Sequence, residues 1–219
     1  MWNKISKIYV WTNLVRPTWR LPSAYQEVEY IESTATSSNN WQLLYTWVNI
    51  SSNYLQLQFK MNPTSLRYEG NYFYNSNWVW NSFERTELDG WGYFNTGNTV
   101  KLFKPIPMST GVDYEFDVKY NNGVMTVNGS SQSYSGSIAW NTGFIFFAWR
   151  GNSDWSNLQS CSAEKLYYLK IYTGSSFTLV RDYVPCYRKS DSVAWMYDLV
   201  NDVFYPSASC VPFVAWPEV

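Results

Sequence analysis

The chain of 219 residues has no histidine, only 11 glycines and only three cysteines. Without histidine it lacks the commonest general base, the usual activator of serine and cysteine nucleophiles, and the commonest transition-metal ligand. Cys161, Cys186 and Cys210 are odd in number and widely spaced. That argues against a disulfide framework or a zinc knuckle, and buried thiols with at most one bridged pair are expected. No apolar run approaches membrane-spanning length, and residues 1–7 show no signal-peptide core. An excess of charge of one sign is also missing. Sixteen Lys and Arg against 17 Asp and Glu leave a net charge of −1, with no basic stripe to follow phosphates. Neither nucleic acid nor a membrane is therefore an expected partner.

The shortage of glycine stands beside an excess of tryptophan, 13 in all. Many of these sit in small-polar clusters between apolar runs, where turns form and positive φ is favoured: Trp47, Trp140, Trp149, Trp155 and Trp216. Glycine at about 5% is below the roughly 7% average. The two residues together make about 11%, which would suit a turn-rich β protein. Two readings follow. The tryptophans are ordinary packing or sugar-stacking aromatics, or these positions are glycine in a lineage that reads UGA as glycine. UGA at the Trp47, Trp149 and Trp195 codons supports the second, and UGG ends it.

What is present is a succession of strands. Residues 26–32 and 53–61 alternate polar and apolar, as do 165–172. Further strands are expected at 71–78, 92–95, 100–103, 113–120, 178–183, 195–199 and 203–205. Asn121-Asn122-Gly123 signals a hairpin returning through 124–128, and 143–148 is a continuous apolar run suited to the middle of a sheet. No segment shows helical periodicity at useful length. Aromatics at 20% with only 15% charged residues fit a packed β protein. The expectation is all-β: a two-sheet antiparallel β-sandwich of jelly-roll type over 21–219, preceded by a short N-terminal β arm over 1–20. In the arm, Ile8, Tyr9, Val10, Leu14, Val15 and Arg16 form a hairpin too small to bury itself, so it needs a partner surface.

Several segments carry a resemblance: Leu21–Ser33, Lys170-Ile171-Tyr172, Leu179–Arg188 and Trp195–Tyr205. They are similar to concanavalin A-like, LamG-type jelly-roll modules of phage virion proteins and gut-bacterial surface proteins. Those modules carry "GMYDLV" and a closing "AGP", where this chain has Trp195-Met196-Tyr197 and Ala215-Trp216-Pro217. Lys7–Pro17 resembles the leader "IYVG…VRP" that precedes them in phage structural proteins. The resemblance covers about half the chain. It implies the fold and a virion context, and says little about ligand.

The catalytic-looking pattern is Glu115-Phe116-Asp117-Val118-Lys119. Jelly-roll glucanases place Glu-x-Asp-x-Glu on one strand face, with nucleophile and acid/base about 5–5.5 Å apart. Lys119 replaces the third carboxylate, so an exposed face carrying an Asp–Lys pair outweighs catalysis. Glu84, Glu87 and Asp89, and separately Asp191 and Asp198, are oxygen ligands that calcium could use; otherwise no cofactor is implied. For a glycan, the densest aromatic–amide stretch is Tyr72, Tyr74, Asn75, Asn77 and Trp78, with Asp89 and Trp91; filling the core serves those aromatics equally well.

The sequence therefore leads to a non-enzymatic structural protein on a virion surface, in many copies or as a homo-oligomer. It would contact other virion proteins through the arm and host or mucosal glycan through the jelly roll. The alternative is a carbohydrate-binding module on a bacterial cell surface; a glucanase-like glycoside hydrolase ranks last.

Overall fold

In the computed structural model of the chain the described residues are 21–34, 42–48, 53–65, 70–75, 82–85, 91–96, 100–134, 144–150, 158–161, 163–209 and 211–218. Among them the regular elements are strands, with no helix. In chain order these are β1 (Tyr25–Ser33), β2 (Leu44–Tyr45), β3 (Tyr54–Pro63), β4 (Gly70–Asn75), β5 (Ser82–Arg85) and β6 (Trp91–Thr96). Then come β7 (Val100–Pro107), β8 (Tyr114–Asn121), β9 (Val124–Val127), β10 (Ser130–Ser133), β11 (Phe144–Phe146) and β12 (Ala148–Arg150). The last are β13 (Leu158–Cys161), β14 (Glu164–Thr173), β15 (Thr178–Arg188), β16 (Val193–Asp198), β17 (Val203–Tyr205) and β18 (Val214–Glu218).

They assemble into a large antiparallel sheet in the order β10-β9-β8-β3-β14-β1-β15-β16-β17, with β18 paired to β1, a smaller sheet in the order β2-β11-β4-β5-β6-β7, and a two-stranded pair of β12 and β13. The strong period-two segments occupy the middle of the large sheet, because alternation commits one face of a strand to burial. On β3, Leu55, Leu57, Phe59 and Met61 are buried; on β8, Phe116, Val118 and Tyr120; on β14, Leu166, Leu169 and Ile171. Leu44 and Phe146 of the smaller sheet join the same cluster, and the Phe59 and Phe146 rings meet edge to face at 5.8 Å. Those contacts make the two sheets a sandwich.

Turn chemistry sets the register. Asn122 (φ 42) and Gly123 (φ 92) both take positive φ between the paired Asn121 and Val124, the geometry of a two-residue type I′ hairpin. Asn128 (φ 47) and Gly129 (φ 86) repeat it between β9 and β10. The apolar run at 143–148 enters a sheet as β11, paired on both sides by β2 and β4, but next to the edge of the sheet and not in its middle. It stops at the buried Phe147, whose φ of 73 turns the chain into β12.

Candidate functional site

Alternation that buries one face of β3, β8 and β14 turns the other outward, so the large sheet carries a polar face of defined register. Gln56 pairs with Lys119 and Tyr172; Gln58 with Asp117 and Lys170; Lys60 with Glu115 and Tyr168. A bulge between Leu166 and Tyr168 places Tyr167 outward beside Tyr168.

The tyrosines of β14 lean one way. The Tyr168 hydroxyl donates to Glu115 Oε1 at 2.5 Å, two strands away across Lys60. Tyr167 donates to Asp113 Oδ1 at 2.9 Å, again across β3, and Tyr172 donates to Gln58 Oε1 at 3.0 Å. Strands are about 4.8 Å apart, so a side chain spanning two of them lies along the sheet and does not stand off it. Asp117 accepts from Gln56 Nε2 at 2.7 Å and from Gln58 Nε2 at 3.4 Å, and Asn128 Oδ1 accepts from the Asp117 amide at 2.8 Å. Lys60 pairs with Asp113 at 2.8 Å and sits 4.3 Å from the centre of the Tyr167 ring; Tyr30 of β1 meets that ring at 5.5 Å.

Electrostatics follow from these contacts. Partial burial pushes the Asp113 carboxyl up, but hydrogen bonds from Lys60, Asn62 and Tyr167 outweigh it and hold the group below the usual carboxylate range. Tyr167 is raised by burial and by its bond to Asp113, and Tyr172 by burial and the nearby Asp182 and Asp117, so both phenols stay protonated donors. Beside this face lies a shallow cleft of about 400 Å³ lined by Asn62, Thr64, Thr110, Gly111 and Lys165.

Glu115 and Asp117 therefore share one exposed face, as the spacing requires. The expected Asp–Lys pair is corrected: Asp117 is held by amides, while the Lys119 ammonium lies 4.0 Å from the centre of the Phe177 ring. Residues directly across a sheet have Cβ atoms about 4.5–5.5 Å apart. Same-face neighbours on one strand, two rises of about 3.4 Å away, are farther.

The glycan residues expected from sequence lie elsewhere. Tyr72, Tyr74 and Asn75 are on β4 of the smaller sheet, and Trp91 opens β6. Asn77, Trp78 and Asp89 lie outside the described residues, as does the arm with Ile8, Tyr9, Val10, Leu14, Val15 and Arg16. Tyr74 pairs with Ile145, which belongs to a second buried cluster with Leu43 and Tyr45. Gly92 pairs with Arg85, and Arg85 with Gly70, so Trp91 sits two strands from β4 and at the end away from Tyr74 and Asn75.

Of the acidic residues considered for calcium, Glu84 is on β5 and Glu87 lies outside the described residues. Asp191 forms a bidentate pair with Arg188 on the surface. Asp198 is fully buried: its carboxylate accepts from the amides of Asp182 and Val200 and from Asn201, with Arg181 Nε 3.4 Å away. These two carboxylates serve separate structural ends.

The tyrosine face was missed because alternation marks which residues point outward, not what they do there. The signal available was three tyrosines within six residues of β14, beside the amides of β3.

No family model matches the chain, and none of the curated proteins matches it. Among solved structures, the native heptameric SAP-like pentraxin from Limulus polyphemus aligns with a TM-score of 0.50 at 15% identity, over 67% of this chain and 76% of that one. At that identity the likeness speaks for architecture alone. The chain has an all-β, antiparallel, jelly-roll sandwich fold of the concanavalin A-like kind, similar to that of the pentraxin.

Proposed function

We propose that this chain is a non-enzymatic structural protein of a phage virion, displaying its jelly-roll domain for attachment to glycan on a host cell or mucosal surface. The observation that carries the adhesive part is the outer face of the large sheet, where hydroxyls, amides and carboxylates stand in register beside tyrosine rings, the chemistry that sugars require. A lectin-fold neighbour is compatible with it. The virion part rests on the resemblance of Lys7–Pro17 and Trp195–Tyr205 to phage structural proteins. Against catalysis, Lys119 stands where a third carboxylate would be needed, and Glu115 and Asp117 are tied to Tyr168, Gln56 and Gln58.

The test takes both parts separately. Particles assembled with a chain lacking residues 1–20 are expected to leave it behind, while the full chain is incorporated; normal incorporation of the truncated chain would contradict the virion role. The purified protein is expected to retain glycans on an array without hydrolysing any polysaccharide, and measurable turnover would reassign it as an enzyme. A bacterial surface module of the same fold would bind glycan equally well, and the particle experiment separates the two.

A further inference from the structure

The geometry points to a particular site and ligand class: the strip of Tyr167, Tyr168 and Tyr172 along β14 binds a neutral, linear oligosaccharide. This inference rests on the proposed adhesive role and says where and what it binds. Three features of the face carry it.

First, the rings are laid down and fixed. The Tyr167 and Tyr168 hydroxyls reach across β3 to Asp113 and Glu115, and the Tyr172 hydroxyl reaches Gln58 on β3, so the three side chains lean along the sheet and are held there. Flat, tethered rings match the apolar faces of pyranose units, and tethering removes much of the ordering cost of binding. With one residue taken up by the bulge, four rises at about 3.3 Å give a strip of about 13 Å, a length suited to an oligosaccharide.

Second, the surrounding polar groups suit hydroxyls. Gln56 and Gln58 offer amides, and Asp117 and Glu115 offer carboxylate lone pairs beyond those already engaged. A carboxylate with a neighbouring amide accepts from and donates to vicinal hydroxyls at once.

Third, the charge excludes acidic ligands. Lys60 is paired with Asp113, Lys170 lies 3.8 Å from Asp182, and Lys119 covers Phe177. With Lys165 and the nearby Glu29 and Glu32 of β1 counted as well, the carboxylates Glu29, Glu32, Asp113, Glu115, Asp117 and Asp182 still outnumber Lys60, Lys119, Lys165 and Lys170, so a sulfated, sialylated or uronic polymer meets net repulsion. The strip also contains no tryptophan, so it holds whichever way the Trp codons are read.

The experiment is calorimetric titration of the full-length protein with neutral hexasaccharides (cello-, xylo-, malto- and chito-oligomers) and with acidic probes (oligogalacturonate, heparin fragments, sialyllactose). At least one neutral series is expected to bind and the acidic probes are not. Tyr168→Ala and Tyr172→Ala should each weaken binding about tenfold. Tyr168→Phe, which keeps the ring and loses its tether to Glu115, should lose less, and Lys189→Ala, on a distant turn, should lose nothing. Unchanged circular dichroism and melting temperature establish that the variants fold. Neutral binding that survives the combined Tyr167, Tyr168 and Tyr172 alanine variant overturns the site while leaving adhesion intact. Binding of acidic glycans only overturns the ligand class. Absence of all glycan binding, or self-association that the tyrosine variants abolish, overturns both the site and the adhesive role but not virion incorporation.

Discussion

Trp47 is 60% exposed and adopts a φ of 49, a backbone region that costs a bulky L-residue energy and costs glycine none. Its ring meets that of Tyr45 edge to face at 4.2 Å. Trp47→Gly is expected to stabilise the fold by about 1 kcal/mol, a rise of about 2–4 °C in a thermal melt. At the half-buried Trp195 the ring is packed, but its indole nitrogen is buried without a hydrogen-bond partner. Phe147 and Phe177 also take positive φ, so the angle alone does not identify a recoded glycine; sequencing the Trp47 and Trp195 codons does, with UGA expected. Glu164 makes a different prediction. Its side chain is buried, Oε2 has no hydrogen-bond partner, and burial holds the carboxyl well above its ordinary value of 4.5. Above pH 4.5 the unfolded chain gives up this proton while the folded one retains it, so stability falls as pH rises toward the folded value and stays reduced beyond it. Glu164→Gln should remove that decline, leaving urea midpoints at pH 4 and pH 8 closer together than in the parent protein.

At the scale of elements, the β16–β17 hairpin is organised by one carboxylate. Asp198 receives the Asp182 amide at 3.1 Å, the Val200 amide at 3.0 Å and the Asn201 side chain at 2.6 Å. Removing a buried, paired charge usually costs about 3–5 kcal/mol, so Asp198→Ala should lower the urea midpoint severely, with Asp198→Asn milder. That gives the Tyr197-Asp198-Leu199 motif a physical role in fixing a turn. Gly123→Ala should cost about 1–2 kcal/mol through φ alone, since the nearest atom to an added Cβ is the Tyr134 carbonyl oxygen at 3.6 Å. The strands with strong alternation or a marked turn (β1, β3, β8, β9, β14, β15 and β16) were legible in the sequence. β10 was not, because Ser130–Ser133 is polar on both faces and is held only by its turn and its pairing with β9. β2 and β5 were missed for a related reason: two and four residues are too short for a period to register, and only their neighbours define them. For the site, the Gln and Lys positions of β3 read correctly as outward. The tyrosines of β14 did not read as a site, since their tethers to Asp113 and Glu115 come from residues more than 50 positions away.

Across the whole molecule the chain closes on itself. β1, near the start of the described chain, lies between β14 and β15 and also pairs with β18, near its end. Such distant pairings must all form before the core is buried, so refolding should be slow, in the range of milliseconds to seconds or longer, and stopped-flow tryptophan fluorescence would measure it. The ends of the large sheet differ in how they are protected. Toward β10 the outer face is open and polar. Toward β15 and β16 it is roofed by a small cluster of Val184, Cys186 and Tyr197, covered by Leu21, Trp195, Leu199 and Phe204. Burial there, with Glu27 nearby, pushes the Cys186 thiol up to about 12, so neither access nor ionisation favours its reaction at neutral pH. An alkylating reagent can then modify this sulfur only when the roof lifts. Followed by peptide mass at that one position, the rate of labelling becomes a native clock for how often the sandwich opens.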